Sequence, residues 1–305
     1  MAVRRILIDT DPGIDDAVAI LLALASPELA VEAVVAAAGN LSLAVTGRNA
    51  RAIVELAGRR DVPVFAGAAR PISRAPITAE EVHGEGGLGT LLLPEPTMAL
   101  QPRNGVDFTI DRLREAPPGG ITWCALGPLT NVALALAKAP DIASGVAELV
   151  LMGGASRALG NVTPAAEFNI HADPHAADIV FASGLPITMI PLDVTHQVRS
   201  TPQRVAAIAA IGKPAATAVA ELIRPGERGP TALHDPCVIA YVLAPELFAG
   251  SRVNVAIECS SPLTVGMTVV DWRGVSGRPA NANVLHTVDP DGFYALLTAR
   301  LRNLG

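Results

Sequence analysis

The sequence predicts an open, mostly parallel, doubly wound (Rossmann-like) α/β sheet with helices on both faces. Three observations predict it. Short β-rich runs are continuously apolar rather than alternating, as strands covered on both sides must be. Stretches with helical periodicity separate those runs, giving successive βαβ units. Several runs also end in polar residues, at the sheet edge where such folds hold their ligands.

In chain order, residues 4–8 read as a strand and residues 15–25 as a helix stopped near Pro27. Residues 31–37 read as a strand, 43–56 as a helix and 62–65 as a strand. Strands are expected at 121–125, 148–152 and 187–191, with helices at 129–138 and 174–183. The last third reads as helices at 203–211, 215–223 and 236–243, strands at 253–258, 265–271 and 282–288, and a helix after Pro290. Two stretches, 67–104 and 153–172, are long and loop-like, and long loops in a compact domain tend to carry function.

Half of the 305 residues are hydrophobic and 17% are charged, enough to bury a sizeable core. With no repeat, low-complexity tract or linker, residues 1–305 are expected to form a single domain. A balance of 23 basic against 29 acidic residues offers no general attraction to phosphate backbones, so nucleic acid is excluded as a partner. The longest apolar run, 17–25, falls far short of the roughly 20 residues that span a bilayer, so no membrane is involved. Asp9 interrupts the N-terminus before a signal-peptide core forms, and the protein is expected to be cytoplasmic. Cys124, Cys237 and Cys259 form no metal-like pair and read as reduced core thiols.

The opening "ILIDTDPGIDDA" gathers Asp9, Asp11, Asp15 and Asp16 at the mouth of a buried strand. Helix capping explains one or two acids there, because carboxylates accept backbone N–H bonds and complement the helix dipole. Four would repel one another at low dielectric unless a cation offsets them, and oxygen ligands alone suit Ca²⁺ or Mg²⁺. Other strand ends contribute Asn40, "ALGPLTN" and a loop with Asn161, Glu167 and Asn169. Amides and a carboxylate suit a polyhydroxylated ligand, since each exchanges hydrogen bonds with hydroxyls. "ALHDPC" sets His234 beside Asp235, alone consistent with an N-cap aspartate and an incidental histidine. "EEVHGEGGLG" adds His83; its glycines match G-x-G-x-x-G formally, but no strand precedes them and dinucleotide binding is rejected.

Taken in order, "DTDPGIDDA", "AGN", "VHGEGGLG", "LGPLTN", "MGG", "GNVTPAAEFNIHADPHAA" and "LHDP" resemble the inosine-uridine-preferring nucleoside hydrolase family. The resemblance implies Ca²⁺-dependent hydrolysis of the N-glycosidic bond of purine or pyrimidine ribonucleosides, in nucleoside salvage or catabolism. It implies one Ca²⁺ per chain, held by Asp11, Asp16, Asp235 and the Leu126 carbonyl. Asp15, Asn40, Asn161, Glu167 and Asn169 would hold the ribose, Met152 would line its pocket, and His83 and His234 would face the base. Asp11 is the implied base, His234 the implied leaving-group acid, and Asp9 lies behind them. The family also implies a homo-oligomer, a dimer or tetramer. One departure is that "AELIRPGERGPTA" lacks the tyrosines that several relatives place over the base, so lower base selectivity is expected. Two rivals are a haloacid dehalogenase-type phosphatase, for which Lys138 and Lys213 sit at no strand end, and a non-catalytic nucleoside-binding protein, against which Asp11 and His234 argue.

Overall fold

A computed structural model of the chain describes residues 3–226 and 231–304. The strands are β1 Arg4–Thr10, β2 Leu29–Ala36, β3 Val64–Ala66, β4 Ile121–Ala125, β5 Val146–Met152, β6 Ile187–Ile190, β7 Phe248–Ile257, β8 Thr268–Asp271 and β9 Ala282–Val288. The helices in the first half are α1 Ile14–Leu24, α2 Leu43–Leu56, α3 Glu80–His83, α4 Gly105–Glu115 and α5 Thr130–Lys138. Then come α6 Phe168–Ala172, α7 Pro174–Phe181, α8 Leu192–Thr195, α9 Pro202–Ala209, α10 Pro214–Leu222, α11 Pro236–Leu243 and α12 Pro290–Leu301.

Among the described residues the strands form one sheet in the order β3-β2-β1-β4-β5-β6-β9-β7-β8. Pairing is parallel from β3 across to β9, and β7 and β8 close that edge antiparallel. Alternation along β1 sends Ile6 and Ile8 into one apolar layer and Leu7 into the other. That is why the strand reads as uninterrupted rather than alternating. On one face α1 packs against α2, α10, α11 and α12, and residues 17–24 of α1 are buried all round. On the other face α5 packs against α4 and α7. Proline opens α7, α9, α10, α11 and α12, where its missing N–H has no helical partner to lose.

The expected bounds coincide with the observed ones for α2, β4, α11 and β9. Elsewhere the structure corrects them. β1 runs on through Asp9 and Thr10, because its pairing with β2 continues to Thr10 opposite Ala36. β7 starts at Phe248 rather than at 253, its exposed first half held by antiparallel pairing to β9. β8 starts at Thr268 rather than 265, because residues 261–267 form a turn with Gly266 at φ +86°. Helix α4 is not anticipated by the sequence pattern at all. Its buried face holds only Gly105, Val106, Thr109, Ile110 and Leu113, and the Asn104 side chain starts it by accepting from the Val106 N–H. The stretch 67–104 is a long loop, as expected, broken only by α3. No helix among the described residues is long and apolar enough to cross a membrane.

The chain leaves β1 toward β2 on one side, while β4 leads to β5 on the other. That reversal opens a crevice at the carboxyl ends of β1 and β4. Asp11 follows the first strand and Leu126 the second.

Candidate active site

The four opening acids divide into different tasks. Asp16 sits in the first turn of α1 and accepts from Thr10 Oγ1 (2.5 Å), the Asp11 N–H (3.2 Å) and the Gly13 N–H (2.9 Å). Capping therefore accounts for part of Asp16. It accounts for nothing in Asp15, whose Oδ2 reaches across to the N–H groups of His234 (3.2 Å) and Asp235 (3.5 Å). Asp11 accepts from the Asn40 N–H at 2.6 Å through Oδ2, while its buried Oδ1 has no partner among the described residues. Asp9 takes one bond, from Asn131 Nδ2, and its Oδ2 is likewise buried and unpartnered.

Asp235 precedes α11 yet makes no side-chain cap. Its carboxylate turns instead toward α1, and one oxygen from each of Asp15, Asp16 and Asp235 lies within 4.8 Å of the others. Burial, then repulsion from Asp15, Asp16 and Asp11, holds the Asp235 carboxyl well above the usual carboxylate range. Burial followed by the Asp16 charge does the same to Asp11, burial followed by the Asp15 charge raises Asp16, and burial pushes Asp9 up to about 8. Protein alone leaves this cluster under-compensated. Its oxygen-only donors, with Asp11 Oδ1 orphaned beside them, fit a hard divalent cation.

Two glycines make room for Asp11. A Cβ at Gly39 would lie 2.0 Å from Asp11 Oδ2, and one at Gly127 would lie 2.3 Å from Oδ1. The carboxylate is thus clamped between two backbone segments that admit no side chain.

The rest of the expected site gathers around one cavity of about 650 Å³. Asp15, Asn40, His83, Leu126, Met152, Asn161, Glu167, Asn169, His234 and Asp235 line it, whereas Asp11 and Asp16 lie buried beneath its floor. Asn40 bridges floor and wall, donating through Nδ2 to Asp11 O and Asp16 Oδ2 (both 3.2 Å). Glu167 caps α6, with Oε1 accepting from the Asn169 N–H and Oε2 from the Gly154 N–H. Burial is the largest influence on Glu167 and raises its pKa. Asn169 donates to the carbonyls of Leu126 (2.7 Å) and Met152 (3.1 Å), and Asn161 Oδ1 accepts from the Phe168 N–H.

His83 Nδ1 accepts from the Ile14 N–H at 3.1 Å. Its loop turns back through Gly84, Gly87 and Gly89, all at positive φ, and the Asn49 amide pins it to Pro12 O and Gly86 O. The glycines serve that turn rather than a dinucleotide. His234 Nδ1 pairs with Thr195 Oγ1 at 2.8 Å, and burial shifts the ring toward its neutral form against the pull of Asp15.

Several residues escape the sequence reading. His196, assigned no role, stacks edge-on against His234 with ring centroids 6.0 Å apart. Phe168, Val82, Arg199 and Arg224 also line the cavity; the place of Phe168 between Glu167 and Asn169 was its only signal. Tyr241 lies outside the cavity and packs on Phe248, so no tyrosine lines it among the described residues. Residues 227–230 of the departing "RPGERGPTA" segment lie outside the described residues. Cys124 and Cys237 are buried and free, but Cys259 is only half-buried.

Comparison with known proteins points one way. The sequence profile described as "Inosine-uridine preferring nucleoside hydrolase" matches residues 6–295. The chain is 47% identical to the "Pyrimidine-specific ribonucleoside hydrolase RihA" of Photobacterium profundum, over 98% of this chain and 99% of that one. It is 47% identical to the protein of the same name from Escherichia coli K12, over 97% and 98% of the two chains. The solved structure "Purine-Preferring Ribonucleoside Hydrolase from Gardnerella vaginalis" superposes with a TM-score of 0.91 at 31% identity, covering 99% of both chains.

Proposed function

The chain belongs to the inosine-uridine preferring nucleoside hydrolase family and is a ribonucleoside hydrolase; from that premise we propose that it is Ca²⁺-dependent and cleaves uridine and cytidine ahead of inosine. The products are ribose and the free base, and the physiological setting is nucleoside salvage or catabolism. The preference for pyrimidines is carried over from the RihA relatives. The working form is a homo-oligomer.

One observation supports the chemistry above all: buried acids with no ion-pair partner among the described residues lie beneath a cavity lined by amides, a carboxylate and two histidines. Asp11, Asp16, Asp235 and the Leu126 carbonyl, with Asp15 beside them, would hold the cation. When bound, it supplies charge that offsets the acids, orients the ribose diol and acidifies a water. Asp11 is the base: its Oδ2 is fixed by the Asn40 N–H, leaving the unpartnered Oδ1 to take a proton from attacking water. Asp15, Asn40, Asn161, Glu167 and Asn169 bind the ribose, with Met152 against its ring. The Glu167 carboxylate favours the positive charge that builds on the sugar as the C–N bond breaks.

His234 and His83 face the base. Half-buried His234, its ring shifted toward the neutral form by burial, assists departure by hydrogen-bond donation to the base. A panel of uridine, cytidine, inosine, adenosine and guanosine, scored by ribose release, tests the proposal. Higher kcat/KM for the two pyrimidine nucleosides is expected. Absence of ribose from all five would overturn the function, and a purine preference would overturn the base assignment alone.

A further inference from the structure

Resting on the reading of His234 as donor to the leaving base, we infer that Thr195 is a positioning residue for the reaction, fixing His234 as the Nε2–H tautomer. Thr195 ends α8, is fully buried, and places Oγ1 2.8 Å from His234 Nδ1. Distance alone leaves two arrangements, with the hydroxyl donating to Nδ1 or accepting from it. Hydrogen-bond accounting decides between them. Nδ1 is the one acceptor within reach of the Thr195 hydroxyl among the described residues. If Nδ1 carried the proton, the hydroxyl hydrogen would be buried without a partner, a loss of about one hydrogen bond. With the hydroxyl donating, both groups are satisfied and the ring proton resides on Nε2. Among the described residues that nitrogen has no hydrogen-bond partner and is not sealed in, and His234 lines the cavity.

His83 reaches the same state by another route, since the Ile14 N–H donates to its Nδ1. Both histidines thus present an Nε2–H. A backbone amide sets the first tautomer and a side-chain hydroxyl sets the second, and only the hydroxyl can be removed by substitution. Thr195 does not reach the cavity and acts only through the ring it holds.

The test compares Thr195→Val, which keeps the shape, with Thr195→Ser, which keeps the hydroxyl, and runs His234→Gln alongside. Each is assayed on uridine, whose base needs a donor, and on p-nitrophenyl riboside, which leaves as a stable anion. Thr195→Val should lower kcat for uridine about tenfold with little change in KM, and lose far less on the activated riboside. Thr195→Ser should stay within about threefold of wild type on both. In ¹⁵N-histidine-labelled wild type, the His234 Nδ1 resonance should be that of an unprotonated nitrogen, and Thr195→Val should move it. Wild-type uridine turnover in Thr195→Val, an equal loss on both substrates, or a protonated Nδ1 in wild type would overturn the inference. If His234→Gln is selective for uridine while Thr195→Val is not, the Thr195 inference falls alone. Equal losses in His234→Gln would remove the underlying reading of His234 and the inference with it.

Discussion

Alanine at Gly39 should lower kcat by about two orders of magnitude while leaving the fold intact. The added Cβ would sit 2.0 Å from Asp11 Oδ2, 2.8 Å from Asp11 Cγ and 2.8 Å from Pro128 Cδ. Non-bonded carbon contacts need roughly 3.5 Å, so the carboxylate would have to retreat by roughly 1.5 Å. On its far side it meets the Gly127 backbone, which sits so close that a Cβ added there would lie 2.3 Å from Oδ1. The retreat would also break the 2.6 Å bond from the Asn40 N–H that fixes the Asp11 carboxylate. Misplacing a reacting group by about 1 Å typically costs about 10²-fold. Ribose release from uridine and a thermal melt would be measured together. Gly47→Ala is the control: its Cβ meets only Leu100, at 3.5 Å, and it lies inside α2. That change should stabilise the protein by up to about 1 kcal/mol and leave kcat unchanged. Gly39→Ala with more than about a third of wild-type kcat and an unaltered melt would refute the idea that clamping Asp11 matters.

Asp11→Asn should lose about 10²–10⁴-fold in kcat, since an amide cannot take the water's proton; retention of more than about a tenth would exclude Asp11 as the base. Chelated protein should lose stability as pH rises. Asp9, Asp11, Asp16 and Asp235 all have folded-state pKa values above their ordinary value, so their stabilising protonated forms persist at low pH. That contribution disappears as pH rises from 3.8 through about 8, the span set by Asp9. The melting temperature without metal should therefore fall between pH 5 and 8, and Ca²⁺ should flatten the curve; a flat curve in stripped protein would contradict the burial argument. Asp173→Ala should destabilise by roughly 3 kcal/mol in urea unfolding, because the buried carboxylate accepts from the Ile72 N–H, Thr130 Oγ1 and the Ala176 N–H. A loss under about 1 kcal/mol would show that those donors find other partners.

The parallel core of the sheet was legible because burial on both faces leaves an unbroken apolar run, as in the wholly buried β4. The start of β7 was not, since residues 249–252 are exposed and only pairing with β9, remote in sequence, makes them a strand. Helix α4 was hidden for a related reason: its buried stripe is narrow and includes Thr109 and Gly105. The excess of acid at residues 9–16 pointed to the crevice from the sequence alone. How the acids share the work did not follow from it. Asp15, expected at the ribose, also joins Asp16 and Asp235 in the converging set, because the segment ahead of α11 folds onto the start of α1. His196 and Thr195 gave no signal, and Gly39 and Gly127, though inside "AGN" and "LGPLTN", gave none of their contact with Asp11. Their parts depend on distances between segments far apart in the chain, and neither composition nor spacing encodes those.

The most direct test of the buried acids' purpose is metal content measured together with turnover. Protein stripped by chelator and reloaded with Ca²⁺ would be assayed for ribose release from uridine, with the bound metal quantified in the same samples. Loss of turnover on stripping, and its return in proportion to Ca²⁺ up to one ion per chain, is the expected result. Undiminished ribose release from protein verified to be metal-free would contradict it.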